Sequence, residues 1–288
     1  MPPIKMLVLD LDGTLAVDNH QVLPATRAGL KNLHETGVEV VIATGRRYRT
    51  TRFVIDNLGF DVYAVCNGGA LVKTPNAETH HETTYSISQL NEIVNIARDT
   101  ELALFAQRDA HDRGGPDFVI DDAVPWTGAI RKYFEDNRLW SDKGDLLGRT
   151  PEFLVSGTFA KEHQLKTFCE KIHQSFPEIY HTIVVPQPDS EYSYCEVTLA
   201  DINKWYGLSQ LASLFNLGVE NICAVGDQLN DLPMLKAVGH GITMGNGNEA
   251  LHRHTKFVCG NHDEDGILEV IEYIRQHNHK IDDQINER

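Results

Sequence analysis

Short apolar runs alternate with amphipathic stretches through the opening part of this 288-residue chain. Runs of strand character cover about residues 4–10, 38–44 and 62–66, and helical periodicity fills about 24–36 and 46–58. Gly37 and Gly59 close the two helices, because glycine accepts the left-handed backbone with which a helix commonly stops. Strand and helix in alternation predict right-handed crossovers and a parallel sheet.

After Thr83 the pattern changes. A helix at about 88–100 precedes strands at Leu102–Phe105 and Phe118–Ile120, joined by the polar stretch Arg113-Gly114-Gly115-Pro116. A helix follows near 126–136, then a strand at 153–158 and a helix at 161–176. Residues 181–185 and 192–198 read as a hairpin around Pro186-Gln187-Pro188-Asp189. From Lys204 the alternation resumes: helix 204–216, strand 221–226, helix 229–237, short strands near 240–244 and 256–259, and a last helix at 264–276. The tail from His277 is polar and is expected to fray. The economical reading is an α/β core built from 1–83 and 200–288, with a small α+β domain, 84–199, inserted between.

Composition narrows the function. The formal charge is −15, which repels phosphate backbones and argues against general nucleic-acid binding. A local cluster of cations and metal can still hold an anionic ligand, since salt screens exposed charges beyond about 10 Å. No apolar stretch is long enough to span a bilayer, and Asp10 and Asp12 interrupt any signal-like N-terminal run. The expectation is a cytoplasmic protein with no membrane partner. Five cysteines, Cys66, Cys169, Cys195, Cys223 and Cys259, are scattered without a Cys-x-x-Cys pair. The odd count and the spacing argue against a disulfide framework or structural zinc.

Candidate chemistry gathers where apolar strands stop. Lys5-Met6-Leu7-Val8-Leu9 runs into Asp10-Leu11-Asp12-Gly13. Continued strand alternation would point Asp10 and Asp12 the same way. Two like charges so placed call for compensation, and carboxylate oxygens suit magnesium. A buried strand ending in an Asp-Gly turn explains one of these acids and not the pair. Asn221-Ile222-Cys223-Ala224-Val225-Gly226-Asp227 repeats the form, with Asn230 and Asp231 following in what reads as the first turn of a helix. Glu39–Ala43 ends in Thr44-Gly45-Arg46, and Lys204 opens another helix. In open parallel sheets ligands bind outside the carboxyl ends of the strands.

In this order, these segments resemble the motifs of the haloacid-dehalogenase superfamily of phosphohydrolases. Asp10-Leu11-Asp12-Gly13-Thr14-Leu15 is similar to the first motif, Thr44-Gly45-Arg46 to the second, Lys204 to the third, and Gly226-Asp227-Gln228-Leu229-Asn230-Asp231 to the fourth. Cys66-Asn67-Gly68-Gly69-Ala70 and Met244-Gly245-Asn246 further resemble the Cof-like branch, which carries a type IIB cap. Two departures stand out: Asn203-Lys204-Trp205, where this branch more often has Ser-Lys-Gly, and the extra glycine Gly69.

The resemblance implies a Rossmann-like parallel sheet with helices on both faces and a cap that reads the substrate. It implies magnesium-dependent hydrolysis of small phosphate monoesters, sugar phosphates foremost, through an aspartyl-phosphate. Asp10 would be the nucleophile and Asp12 the general acid and base. Mg2+ would sit on Asp10, the backbone carbonyl of Asp12, and Asp227. Thr44, Gly45, Arg46, Asn67, Lys204 and Asn230 would face the substrate, and Asp231 would orient Lys204 or a metal-bound water. From the residues alone plainer roles remain open. Thr44 could cap the following helix, Lys204 and Arg46 could be solvated, Asp231 could be a helix N-terminal acid, and Asn67 could only shape a turn. A mutase or phosphotransferase shares the chemistry up to the aspartyl intermediate. A non-catalytic phosphate sensor would be expected to have lost one of these residues. The expected partner is a small phosphorylated metabolite, and the expected state is a monomer or weak homodimer.

Overall fold

A computed structural model describes residues 2–17, 21–111, 113–187 and 190–286. The chain divides into two compact units, one formed by 1–81 with 203–288 and the other by 82–202.

The first unit is built on a seven-stranded sheet. Its strands are β1 (Met6–Leu9), β2 (Glu39–Ala43), β3 (Tyr63–Cys66), β4 (Leu71–Lys73), β5 (Thr79–Glu82), β12 (Ile222–Gly226) and β13 (His240–Thr243). They lie in the order β13-β12-β1-β2-β3-β4-β5. The first five of that order run parallel, and β4 turns back antiparallel on β3. In β1, β2, β3 and β12 both faces are largely buried, so these strands read as continuous apolar runs rather than as an alternation. Leu7, Leu9, Val40 and Ile42 face a core with α1 (Pro24–His34), α2 (Tyr48–Leu58) and α8 (Ile267–Asn286). Met6, Val8, Val41 and Ala43 face α6 (Lys204–Leu214) and α7 (Leu232–Ala237). The result is a doubly covered α/β sheet with β1 between β12 and β2.

The second unit carries a six-stranded sheet of β6 (Phe105–Gln107), β7 (Phe118–Ile120), β8 (Ser141–Lys143), β9 (Val155–Ala160), β10 (Tyr180–Pro186) and β11 (Ser193–Leu199). The order is β10-β11-β9-β6-β7-β8, antiparallel except for β7 with β8. Helices α3 (Ile87–Asp99) and α5 (Glu162–Ser175) bury Leu90, Ile93, Leu165 and Phe168 against one core. Helix α4 (Gly128–Asp136) packs with Phe105, Phe118 and Ile120 in another. Ser86 starts α3 by accepting from the Gln89 amide, while the Gln89 side chain accepts from the Ser86 amide.

Several sequence expectations need correction. The second helix begins at Tyr48 rather than 46. The strand expected at 102–105 lies at 105–107. Residues 256–259 form a single bridge, Thr243 with Val258, and no strand. The helix expected at 229–237 opens as a 3-10 turn, Leu229–Asp231, before α7. The tail does not fray at His277: α8 continues to Asn286. The Asn278 side chain both donates to the Ile4 carbonyl (2.9 Å) and accepts from the Ile4 amide (2.8 Å). That two-way bond ties the polar extension to the start of the chain. Strands β4, β5 and β8 were not foreseen; Thr79-His80-His81-Glu82 in particular has no apolar alternation to reveal it.

Candidate active site

Four neighbouring parallel strands deliver four segments to one edge of the first sheet. Asp10 follows β1, Thr44 follows β2, Asn67 follows β3 and Asp227 follows β12. The chain leaves β1 toward β2 on one side, while β12 enters on the other, so this edge is the topological switch point where α/β sheets bind ligands.

Helix α6 adds the cation. The Asn203 side chain accepts from the Tyr206 amide at 3.1 Å and caps the helix, fixing Lys204 at its first position. Trp205, the departure noted beside Lys204, packs against the α6–α7 core. The Lys204 ammonium is buried and donates to Asp10 Oδ1 and Asp231 Oδ1, each at 2.5 Å. It is therefore not a solvated lysine. Burial pushes its pKa down, but the two carboxylates outweigh that and hold it above the ordinary lysine value.

Asp231 divides its two oxygens. Oδ1 takes the Lys204 bond, while Oδ2 accepts from the backbone amides of Asp227 and Gln228, both at 3.0 Å. One carboxylate thus bonds both Lys204 and the backbone of the turn that precedes α7. Asp227 accepts from the Thr14 hydroxyl at 3.0 Å and from the Gln228 side-chain NH2 at 3.2 Å. Gly13 sits in left-handed backbone beside it; a Cβ there would meet Asp227 Oδ2 at 2.5 Å.

Asp10, Asp227 and Asp231 form a buried acid cluster, with one oxygen from each lying within 4.8 Å of the others. Burial raises the Asp10 pKa well above the carboxylate range, opposed by Lys204 and reinforced by Asp231 and Asp227. Burial and then Asp231 raise Asp227 as well. One ammonium does not balance three carboxylates, so a hard divalent cation fits this donor set. Asp12 stands apart. β1 ends at Leu9, so strand alternation does not carry through to Asp12 and the two first-motif acids do not share one environment. The Asp12 side chain is 56% exposed and is held by both Nε and Nη2 of Arg46.

Thr44 is buried and its Oγ1 accepts from the Arg46 amide at 3.1 Å. It does not cap α2, whose N-cap is Arg47. Gly45 is exposed, with open space where a Cβ would be. Asn67 is buried in left-handed backbone, φ 50°, and its amide donates to the Arg46 carbonyl at 2.9 Å. Asn230 is exposed in the 3-10 turn before α7. Three contributors escaped the sequence reading of roles: Thr14, Gln228 and Asn246. Asn246 donates to the Gly13 carbonyl at 2.8 Å and accepts from the His262 amide at 2.9 Å. All three lie inside motif segments, but nothing in their spacing announces these bonds.

Residues 7–271 match the family model of the haloacid dehalogenase-like hydrolases, and the chain belongs to that family. Several of its curated relatives are named phosphatases, and the chain is a phosphoric monoester hydrolase. Phosphatase YwpJ of Bacillus subtilis is 25% identical over 94% of this chain and 100% of its own length. The pyridoxal phosphate phosphatase YbhA of Escherichia coli is 23% identical over 93% and 97%. Among solved structures, a haloacid dehalogenase-like hydrolase from Bacteroides thetaiotaomicron superposes with TM-score 0.75 at 22% identity, covering 94% of this chain and 99% of that one. A subclass IIB sugar phosphatase superposes with TM-score 0.71 at 20% identity, covering 93% and 98%. Among the described residues no helix is long and apolar enough to cross a membrane.

Proposed function

We propose that this chain hydrolyses small soluble phosphate monoesters, sugar phosphates foremost, through an aspartyl-phosphate and with magnesium. The observation that carries the reading is the buried Lys204 bridging Asp10 and Asp231, with Asp227 completing the acid cluster.

Asp10 is the nucleophile: a carboxylate oxygen attacks phosphorus as the ester oxygen leaves on the opposite side. Lys204 neutralises charge on the transferring group, and Asp231 holds Lys204 in place through Oδ1. Thr44 Oγ1 already accepts from the Arg46 amide, which leaves its hydroxyl proton to donate to a phosphate oxygen. Asp12, exposed and oriented by Arg46, supplies a proton to the leaving oxygen and later takes one from the hydrolytic water. Gly45, Arg46, Asn67 and Asn230 border the substrate. Mg2+ would be held by Asp10, Asp227 and the backbone carbonyl of Asp12; when bound, it neutralises the acids and polarises the phosphoryl oxygens. The unit of residues 82–202 serves as the cap that selects the leaving group.

The test is phosphate release from sugar, nucleotide, pyridoxal and ribitylaminouracil phosphates, with magnesium or a chelator, for the native chain and Asp10→Asn. Turnover that needs magnesium and falls on the order of 10³-fold or more in Asp10→Asn supports the reading. Turnover that survives Asp10→Asn removes Asp10 as nucleophile. Phosphate passing to an added alcohol in preference to water makes the chain a transferase.

A further inference from the structure

Cys169 and Cys195 are 26 residues apart in sequence, yet their sulfurs lie 3.7 Å apart. Both are free thiols, on α5 and β11 of the second unit. The pair is asymmetric. Cys195 is buried in the sheet between β10 and β9, and its thiol also reaches the Glu196 carbonyl at 3.8 Å. Cys169 is half-buried and lines an open cavity of about 560 Å³ together with Lys166, His173, Thr182 and Val184. A small reagent in that cavity meets Cys169 and not Cys195. Hydrogen bonds from Cys195 and, after the cost of burial, from Thr182 stabilise the Cys169 thiolate and lower its pKa to about 7. Two buried thiols outside the pair behave oppositely: burial pushes Cys223 up, and Cys259 up to about 12. Thiolate character and access together decide which cysteine reacts with oxidants.

We propose that Cys169 and Cys195 form a reversible redox site, in which a hydroperoxide oxidises Cys169 and Cys195 resolves the product as an intrachain disulfide. The Cys169 thiolate attacks the outer peroxide oxygen and the O–O bond breaks. Cys169 becomes a sulfenic acid, and the peroxide leaves as an alkoxide or hydroxide that takes a proton from water. The Cys195 sulfur then attacks the sulfenic sulfur, its proton leaves with the hydroxyl group as water, and the S–S bond forms. Two electrons pass from the thiol pair to one peroxide. The sulfurs must close by roughly 1.6 Å to reach bonding distance, within reach of side-chain rotation. The product would staple α5 to β11. This site is independent of the phosphatase reading, since both cysteines lie outside the acid cluster.

The experiment treats the folded full-length chain with a small excess of hydrogen peroxide, quenches with an alkylating agent and maps the peptides by mass spectrometry. The expected result is a Cys169–Cys195 linked peptide, lighter by two hydrogens, lost again on reduction, with Cys66, Cys223 and Cys259 still alkylated only after unfolding. In Cys195→Ser, Cys169 should stop at the sulfenic acid, trapped by a dimedone probe, with no linked peptide. The proposal is overturned if native Cys169 stays alkylatable after peroxide, or if it over-oxidises to sulfinic acid with Cys195 still free. It is equally overturned if linked peptides join other cysteine pairs at comparable yield. Because the native chain carries the decisive readout, a misfolded variant cannot rescue or sink it.

Discussion

Gly69 lies so close to Asn203 that a Cβ on Gly69 would come within 1.9 Å of the Asn203 carbonyl oxygen. The two residues join the end of β3 to the cap of α6, one residue before Lys204. Gly69 also has φ 115°, a backbone open to glycine and strained for any other residue. The extra glycine in the Asn67-Gly68-Gly69 segment therefore has a defined purpose: it lets the α6 N-terminus approach β3 and brings Lys204 to the acids.

Gly69→Ala should destabilise the first unit by about 2–4 kcal/mol, the sum of backbone strain and a displaced helix cap. Gly59→Ala is the control. Gly59 has a comparable left-handed backbone, φ 76°, with nothing within 4 Å of the added methyl, so the cost should be about 1 kcal/mol. Urea unfolding of both variants measures the difference; equal losses would show that the close approach to Asn203 carries no energy.

The sequence made the strand-end acids legible because each follows an apolar run, whereas Thr44 carried weight only through its place in the motif order. Lys204 was legible only by motif order, since a single lysine at a helix start has no pattern of its own. The exposure of Asp12 was not legible. Its position relative to Asp10 depends on where β1 stops, and the strand ends at Leu9, before either acid. Likewise the full span of α8 rests on Asn278 meeting Ile4, a bond between chain ends that no local window contains.

Asp10 places a carboxylate where burial opposes its charge, so function here should cost stability. Its folded pKa is raised, while the unfolded chain keeps the ordinary value of 3.8. The stability linked to this group is therefore present at low pH and is lost as pH rises from the unfolded pKa through the raised folded one. Asp10→Asn, in chelator, should be more stable than the native chain by about 1 kcal/mol at neutral pH, and the gap should shrink toward pH 4. Adding magnesium should narrow the gap from the other side, by stabilising the native chain alone. Thermal unfolding across pH, with and without magnesium, reads both effects. A gap that widens on acidification would contradict the burial argument.

Arg46 grips Asp12 with two nitrogens, and under the proposed mechanism this aims the proton donor. Arg46→Met should lower kcat by about tenfold through lost orientation, with esters of poor leaving groups suffering most. Activated aryl phosphates need less protonation and should be spared. If both ester types fall equally and KM alone rises, Arg46 binds substrate and does not position Asp12.

The Cys169 thiol provides a pH readout away from the acid cluster. Lys166, Glu170 and His173 lie near it on α5, with Thr182 on β10 and Cys195 with Glu196 on β11. Its pKa is lowered from 9.0 to about 7, so the associated stability is present above the unfolded value and is lost as pH falls through about 7. Iodoacetamide should modify Cys169 with a midpoint near that pH. Cys195→Ala removes the largest cause of the shift and should move the midpoint upward by about a unit or more. An unchanged midpoint would assign the effect to Thr182 and the local charges instead.

Arg98 joins two acids of unequal exposure in the second unit. Its guanidinium holds Asp121, which is 1% exposed, through Nε and Nη2 and reaches the more open Asp145 at 2.6 Å. Asp121 also accepts from the Leu146 amide at 3.3 Å, so this carboxylate knits α3, β7 and the segment after β8. Arg98→Met leaves a buried carboxylate without its counter-charge and should cost about 3 kcal/mol. Asp145→Asn breaks only the exposed arm and should cost far less than Arg98→Met. Hydrogen exchange localises the loss. Amides of 82–202 should open faster in Arg98→Met, while those of β1, β2 and β12 should keep native protection. If protection falls equally across both sheets, the two units unfold as one, and Arg98 stabilises the whole chain rather than its own unit.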